Sequence, residues 1–184
     1  MKVIGVTGTN ASGKDAVAEY LNKKYGYKNY SLSNEIRFEL TKLGLEHSRE
    51  NLIMKGNQIR ENFDANELAI RAINRIISDG ISEVIVTSIR NPAEIIELKN
   101  NFKDFRMIFV DAPVAIRYER SQKRGRMGDG ESLEEFIEKE SRELDAGEKG
   151  QRLIACSKLA DFKISNDKDL KHLEDEIEKI ISQI

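Results

Sequence analysis

The chain has 184 residues, 39% of them apolar and 34% charged, with a formal charge of −2, a composition expected of one folded domain and not of a disordered or fibrous chain. Near-neutral charge excludes a molecule that attracts nucleic acid over its whole surface, and a single cysteine with two histidines excludes an internal disulfide and disfavours a structural zinc cluster. No apolar run approaches the roughly 18 residues of a membrane helix, and the first eight residues are interrupted too soon for a signal peptide, so a cytoplasmic location with no membrane or nucleic-acid partner is expected.

Taken in chain order, residues 3–7 read as a short apolar strand, followed by a glycine-rich loop and an amphipathic stretch over 15–24. A second strand is predicted over 30–33. Residues 34–65 are mostly helical and polar, with few β-branched residues, and look like an insert. A helix over 68–77 leads to a strand over 84–88. Asn91-Pro92 with Glu94 beyond it signals a helix start, and Pro113 plays a similar part after the strand 106–111. Residues 121–150 carry glycines at 125, 128, 130, 147 and 150 around one acidic helix, 133–144. A last strand over 161–165 precedes an amphipathic packing helix, 167–184, with Leu170, Leu173, Ile177, Ile180 and Ile181 on one face. The alternation of strand and helix predicts an α/β fold in three layers, a parallel five-stranded sheet with helices on both faces.

The chemistry is concentrated in Gly8-Thr9-Asn10-Ala11-Ser12-Gly13-Lys14, a G-x-x-x-x-G-K segment between a predicted strand and a predicted helix. Glycines let successive backbone N–H groups turn inward onto phosphate oxygens, the helix adds its positive end, and Lys14 reaches the outer phosphates. The next residue departs from the pattern. In place of a serine or threonine hydroxyl for Mg²⁺ stands Asp15, whose carboxylate suits a hard cation or simply the helix N-terminus. Arg90 follows the strand 84–88 and so projects from the carboxyl edge of the sheet, where ligands of open α/β folds bind. Arg117, Arg120 and Arg124, spaced by three and four, share a helix face, and Lys123 and Arg126 extend a basic run opposed only by Glu119. The following acidic residues, Glu131, Glu134, Glu135, Glu138 and Glu140, would repel a nucleic-acid backbone.

In this order and spacing, Gly8 to Lys14, Ser31 to Arg37, Ser88-Ile89-Arg90-Asn91-Pro92, Val110 to Pro113 with the arginines after it, and Ser165-Asn166 resemble a P-loop kinase of the nucleoside monophosphate kinase group. Within it, the resemblance is to dephospho-coenzyme-A-kinase-like and adenylate-kinase-related proteins of archaea and covers nearly the whole chain. The Gly-Lys-Asp ending of the loop is also similar to deoxynucleoside monophosphate and phosphomevalonate kinases. The resemblance implies ATP and Mg²⁺ as cofactors, with Gly8, Thr9, Asn10, Ala11, Ser12, Gly13, Lys14 and Asp15 around the donor phosphates and Asn166 near adenine. It makes 34–65 the acceptor-binding insert and 121–150 a lid on one domain spanning 1–184. Lys14, Arg90, Arg120 and Arg124 become the candidate catalytic cations. Ser33, Arg37, Arg60 and Arg90 become candidate acceptor ligands, Arg37 as a bidentate phosphate grip.

Each of these has a plainer reading. Arg37 is also a helix-surface arginine, and Arg60, beside Glu61, also suits a surface ion pair. Asp111 is a candidate metal or acceptor contact and equally a helix cap, and Asn166 is a common turn residue. Tyr25, Tyr27 and Tyr30 read as core or surface aromatics, and His47, His172 and Cys156 carry no assigned role. The resembled kinases usually hold an aspartate for Mg²⁺ where Thr87 stands, so Asp15 is expected to supply the compensating metal carboxylate. The resulting expectation is a γ-phosphoryl transfer from ATP to a small nucleotide-like acceptor, first a nucleoside or deoxynucleoside monophosphate and next dephospho-coenzyme A. The rival is a nucleotide-binding regulatory module without efficient transfer, which the departures at Asp15 and Thr87 favour.

Overall fold

The computed structural model describes residues 1–125, 132–144, 147, 148 and 150–184. Arg126, Gly128, Gly130 and Glu131, which the sequence places in the predicted lid, lie outside the described residues. The elements run β1 (Lys2–Gly8), α1 (Lys14–Tyr25), β2 (Lys28–Ser31), α2 (Leu32–Lys42), α3 (Arg49–Asn62), α4 (Glu67–Asp79) and β3 (Glu83–Thr87). They continue through α5 (Pro92–Asn101), β4 (Phe105–Asp111), α6 (Val114–Arg124), α7 (Leu133–Leu144), α8 (Leu153–Leu159), β5 (Phe162–Ser165) and α9 (Leu170–Ile181).

The five strands form one parallel sheet in the order β2-β3-β1-β4-β5. Parallel strands need helical crossovers, which cover both faces, and this is why the central strands β1, β3 and β4 are buried along most of their length while the edge strands β2 and β5 are not. Val3, Val84, Val86 and Met107 pack toward α2 to α5 and α8. Ile4, Val6, Ile85, Ile108 and Val110 pack toward α1 and α9 through Val17, Leu21, Leu173 and Ile177. Because the chain leaves β1 for one side of the sheet and reaches β4 on the other, the loop after β1 sits at the point where the strand order diverges, the place such sheets bind ligands.

Three local expectations shift. The second strand is Lys28–Ser31, not 30–33, because Ser31 closes the strand in extended conformation and the fully buried Leu32 already opens α2. The seven-residue helix α8 escapes prediction, being too short to show a helical period. In the last helix the buried face is Leu173, Ile177 and Ile180, whereas Leu170, in the first turn, is 61% exposed. The start of α5 is as the sequence signals. Asn91 accepts from the Ala93 N–H, Glu94 completes a capping box, and Pro92 takes the first helical position. Among the described residues no helix is long and apolar enough to cross a membrane.

Helix α7 is fastened to α6 by a buried fork. Arg117 Nη2 donates to Glu140 Oε2 at 2.9 Å, Nη1 donates to Oε1, and Tyr118 meets Phe136 edge-on. Removing one partner of such a pair strands the other charge in the interior. Arg117→Met is therefore expected to cost about 3–5 kcal/mol in urea unfolding, and adding Glu140→Gln to recover most of it.

Candidate functional site

The loop's shape follows from what surrounds it. At Gly8 a Cβ would lie 2.0 Å from the Val110 carbonyl oxygen, so β1 and β4 approach too closely there for any side chain. Ala11 and Gly13 turn the chain through the left-handed region, with φ of 57° and 95°. A Cβ on Gly13 would come within 2.2 Å of Asn166 Nδ2, because that amide donates to the Ser12 carbonyl at 2.8 Å. Thr9 Oγ1 donates to Asp111 Oδ1 at 2.6 Å, the same oxygen that accepts the Ala112 N–H, and the Asn166 N–H donates to the Asp111 carbonyl. Asp111 and Asn166 thus brace the loop from β4 and β5. The structure places both beside the loop backbone and leaves them out of the cleft lining.

A cleft of about 1120 Å³ runs from the loop along the carboxyl edge of the sheet. Asn10, Lys14, Asp15 and Arg124 line its loop end, and Lys14 Nζ donates to the Thr9 carbonyl at 3.2 Å. From α6, Arg124 Nη2 donates to Asn10 Oδ1 at 3.1 Å and Arg120 Nη1 donates to the Asn166 carbonyl at 2.9 Å. The basic helix face predicted from spacing therefore meets the loop, and Arg117 takes part: its Nη1 donates to the Asn10 carbonyl at 3.3 Å, while Glu140 and the Ala112 carbonyl hold the rest of its guanidinium.

The far end of the cleft is built from β2, β3 and the helices after β2. Ser31, Ser33 and Ser88 bring their hydroxyls together, with Ser31 Oγ 2.8 Å from Ser88 Oγ and 2.9 Å from Ser33 Oγ. Arg37 Nη1 donates to Ser33 Oγ, one helical turn away as the spacing requires. Ser88 holds a left-handed φ of 61°, uncommon for a residue with a Cβ and found where the surroundings impose it. Arg90 lines the same cleft as these groups and Lys14. Arg60 also lines it, but its partner is not the neighbouring Glu61. Its Nε and Nη2 donate to Glu94 Oε1 at 3.1 and 2.8 Å, in a pair whose side chains are only 3% and 0% exposed.

Several lining residues had no role in the sequence reading: Ser31 and Ser88 in the hydroxyl cluster, Asn29 beside Thr87, His47 on the rim, and Gln151. The serines stood in the quoted motifs. His47, hydrogen-bonded to Thr41 Oγ1 at 2.9 Å, offered no signal, since only the fold of 43–48 brings it to the cleft. Cys156 is buried, and desolvation, helped by the nearby Glu94, pushes its thiol up to about 12, so it stays protonated.

The cleft's oxygen donors suit a hard cation. Mg²⁺ typically keeps several waters and takes one or two carboxylates plus phosphate oxygens, and Asp15 lines the cleft next to Lys14. Thr87 Oγ1, in the position of the expected aspartate, donates to Asn29 Oδ1 at 2.9 Å and contributes no charge. Among the described residues no group of three or more histidines, cysteines or carboxylates is placed to hold a metal ion.

A parallel sheet in this order, a strand–loop–helix with the G-x-x-x-x-G-K segment at the divergence point, and cations converging on it define a P-loop NTPase with a kinase-like fold. Residues 4–144 match the AAA domain family. The chain belongs to that family, and it also belongs to the UPF0200 proteins: it is 30% identical to the UPF0200 protein of Pyrococcus horikoshii over 99% of this chain and 97% of that one. It is 32% identical to the Pyrococcus abyssi relative over 99% and 96% of the two chains. Among solved structures, shikimate kinase from Acinetobacter baumannii, in complex with shikimate, aligns with a TM-score of 0.59 at 15% identity, covering 100% of this chain and 92% of that one. Shikimate kinase from Bacteroides thetaiotaomicron aligns with 0.61 at 12%, covering 99% and 97%. These structural likenesses establish the fold.

Proposed function

We propose that this protein transfers the γ-phosphoryl group of ATP, with Mg²⁺, to a nucleoside or deoxynucleoside monophosphate. The observation that carries this is the continuous cleft, lined by Lys14 beside the loop, by Arg37 with three hydroxyls, and by Arg90. Two phosphate-bearing molecules meeting end to end need several cations along one cleft.

In this reading the loop amides and Lys14 hold the β- and γ-phosphates of the donor. Arg37, with the Ser31, Ser33 and Ser88 hydroxyls, grips the acceptor phosphate and aims one of its oxygens at the γ-phosphorus. Arg90 spans donor and acceptor and neutralises charge on the transferred group, and Arg120 and Arg124 close the site from α6. Asp15 would supply the carboxylate that holds Mg²⁺, whose charge, when bound, would offset that of the donor phosphates. No enzyme nucleophile is needed, because the acceptor oxygen attacks and catalysis comes from alignment.

Incubation with γ-labelled ATP and Mg²⁺ across ribo- and deoxynucleoside monophosphates and dephospho-coenzyme A tests the proposal. Label is expected on one monophosphate, with Lys14→Ala lowering the transfer rate by about a thousandfold. Label on dephospho-coenzyme A instead would replace the acceptor. Label remaining on ATP throughout, with ATP binding intact, would leave a nucleotide-binding module and defeat the transferase reading.

A further inference from the structure

A buried ion pair linking α3 to the turn that carries Arg90 has no place in the reaction as described above. Glu94 is fully buried, and its two oxygens do different work. Oε2 accepts the main-chain N–H of Arg90 at 2.7 Å and of Asn91 at 3.0 Å, as a capping-box carboxylate does. Oε1 is not needed for that cap, and it receives both Nε and Nη2 of Arg60 from the acceptor-side helix. The turn is held on its other sides as well. The Arg152 N–H donates to the Arg90 carbonyl at 2.7 Å, Thr7 Oγ1 donates to the Ile89 carbonyl at 2.5 Å, and Asn91 Nδ2 donates to the Glu148 and Gly150 carbonyls, each at 2.9 Å.

The turn at Arg90 is therefore clamped directly from β1 and the segment after α7, and from α3 through Glu94. Buried ion pairs contribute little net stability compared with apolar packing, so stability alone gives little reason for one here. Position does. Transfer depends on a cation set to within a fraction of an ångström, and a misplacement near 1 Å costs about a hundredfold.

On the phosphotransferase reading above, we infer that Arg60 and Glu94 are positioning residues, which act through Arg90 by locking its backbone to the acceptor-side helix, and that Arg60 is not an acceptor ligand. A ligand arginine would lose acceptor affinity on substitution. A positioning arginine loses turnover while both substrates still bind.

Two variants test this, assayed beside the wild type for label transfer, substrate KM and thermal unfolding. Arg60→Lys keeps the charge and one bond to Glu94. The pair Arg60→Met with Glu94→Gln leaves no buried charge stranded and keeps an amide oxygen for the Arg90 and Asn91 N–H groups, so it retains the fold. The double variant is expected to melt near the wild type, to keep the KM for ATP and for the monophosphate within about threefold, and to lose about ten- to a hundredfold in kcat. Arg60→Lys is expected to retain most of the kcat. A KM for the monophosphate raised tenfold or more at unchanged kcat would make Arg60 a ligand and overturn the inference. An unchanged kcat in the folded double variant would make the pair mere packing and overturn it equally. A wild type that transfers no label would remove the phosphotransferase reading first and this inference with it, an outcome visible before either variant is assayed.

Discussion

Arg90→Lys is expected to lower the phosphoryl-transfer rate by about two to three orders of magnitude while changing ATP affinity by no more than about threefold. Lysine keeps the charge but not the planar fork, and the role proposed for Arg90 is to touch two phosphate groups at once. Donor affinity is expected to stay because the proposed donor ligands are the loop amides and Lys14, which the substitution leaves in place. The Glu94 carboxylate binds the main-chain N–H at position 90, which the substitution leaves in place, so the variant should fold and melt like the wild type. Single-turnover transfer alongside equilibrium ATP binding separates the two quantities. A loss of ATP affinity equal to the loss of rate would mean that Arg90 serves the donor alone.

Gly13→Ala is expected to destabilise the protein by about 2–4 kcal/mol and to weaken ATP binding by at least about a hundredfold. The backbone there has φ of 95°, in the left-handed region that L side chains rarely adopt. The new Cβ would also sit 2.2 Å from Asn166 Nδ2 and displace the amide that holds the Ser12 carbonyl. The loop then loses its brace from β5 together with its curvature. Asn166→Ala, which removes the brace without the strain, is expected to weaken ATP binding by roughly tenfold, the scale of one hydrogen bond to a buried carbonyl. Isothermal titration with ATP checks both. Equal effects of the two substitutions would show that strain at position 13 is negligible and that the Asn166 contact alone shapes the loop.

The phosphate loop was legible because its information is local. Seven consecutive residues state where the backbone must curl, where the helix begins and where a cation stands, and strand and helix periods on either side supply the context. The face shared by Arg117, Arg120 and Arg124 was legible for the same reason, since helical spacing is a sequence property. What that face meets was not. Arg117 turns to Glu140, twenty-three residues on, and to the Asn10 carbonyl, while Arg120 reaches the Asn166 carbonyl and Arg124 the Asn10 side chain. Arg60 makes the point most sharply. The sequence offered Glu61 as its neighbour, yet side chains adjacent in a helix point apart, and its partner is Glu94 on α5, across the packed interior.

By itself, then, the sequence determined a parallel α/β sheet, a phosphate loop after its first strand, and a set of arginines placed at strand ends and along one helix face. Periodicity, turn chemistry and loop spacing are written in contiguous residues and need no knowledge of the rest of the chain. Only the tertiary structure decided which cations face the cleft, that Asp111 and Asn166 brace the loop, and that Ser31, Ser33 and Ser88 converge. Those relations join residues up to 154 positions apart, and they exist only once the crossovers have set β2, β3, β1, β4 and β5 side by side with their carboxyl ends along one edge.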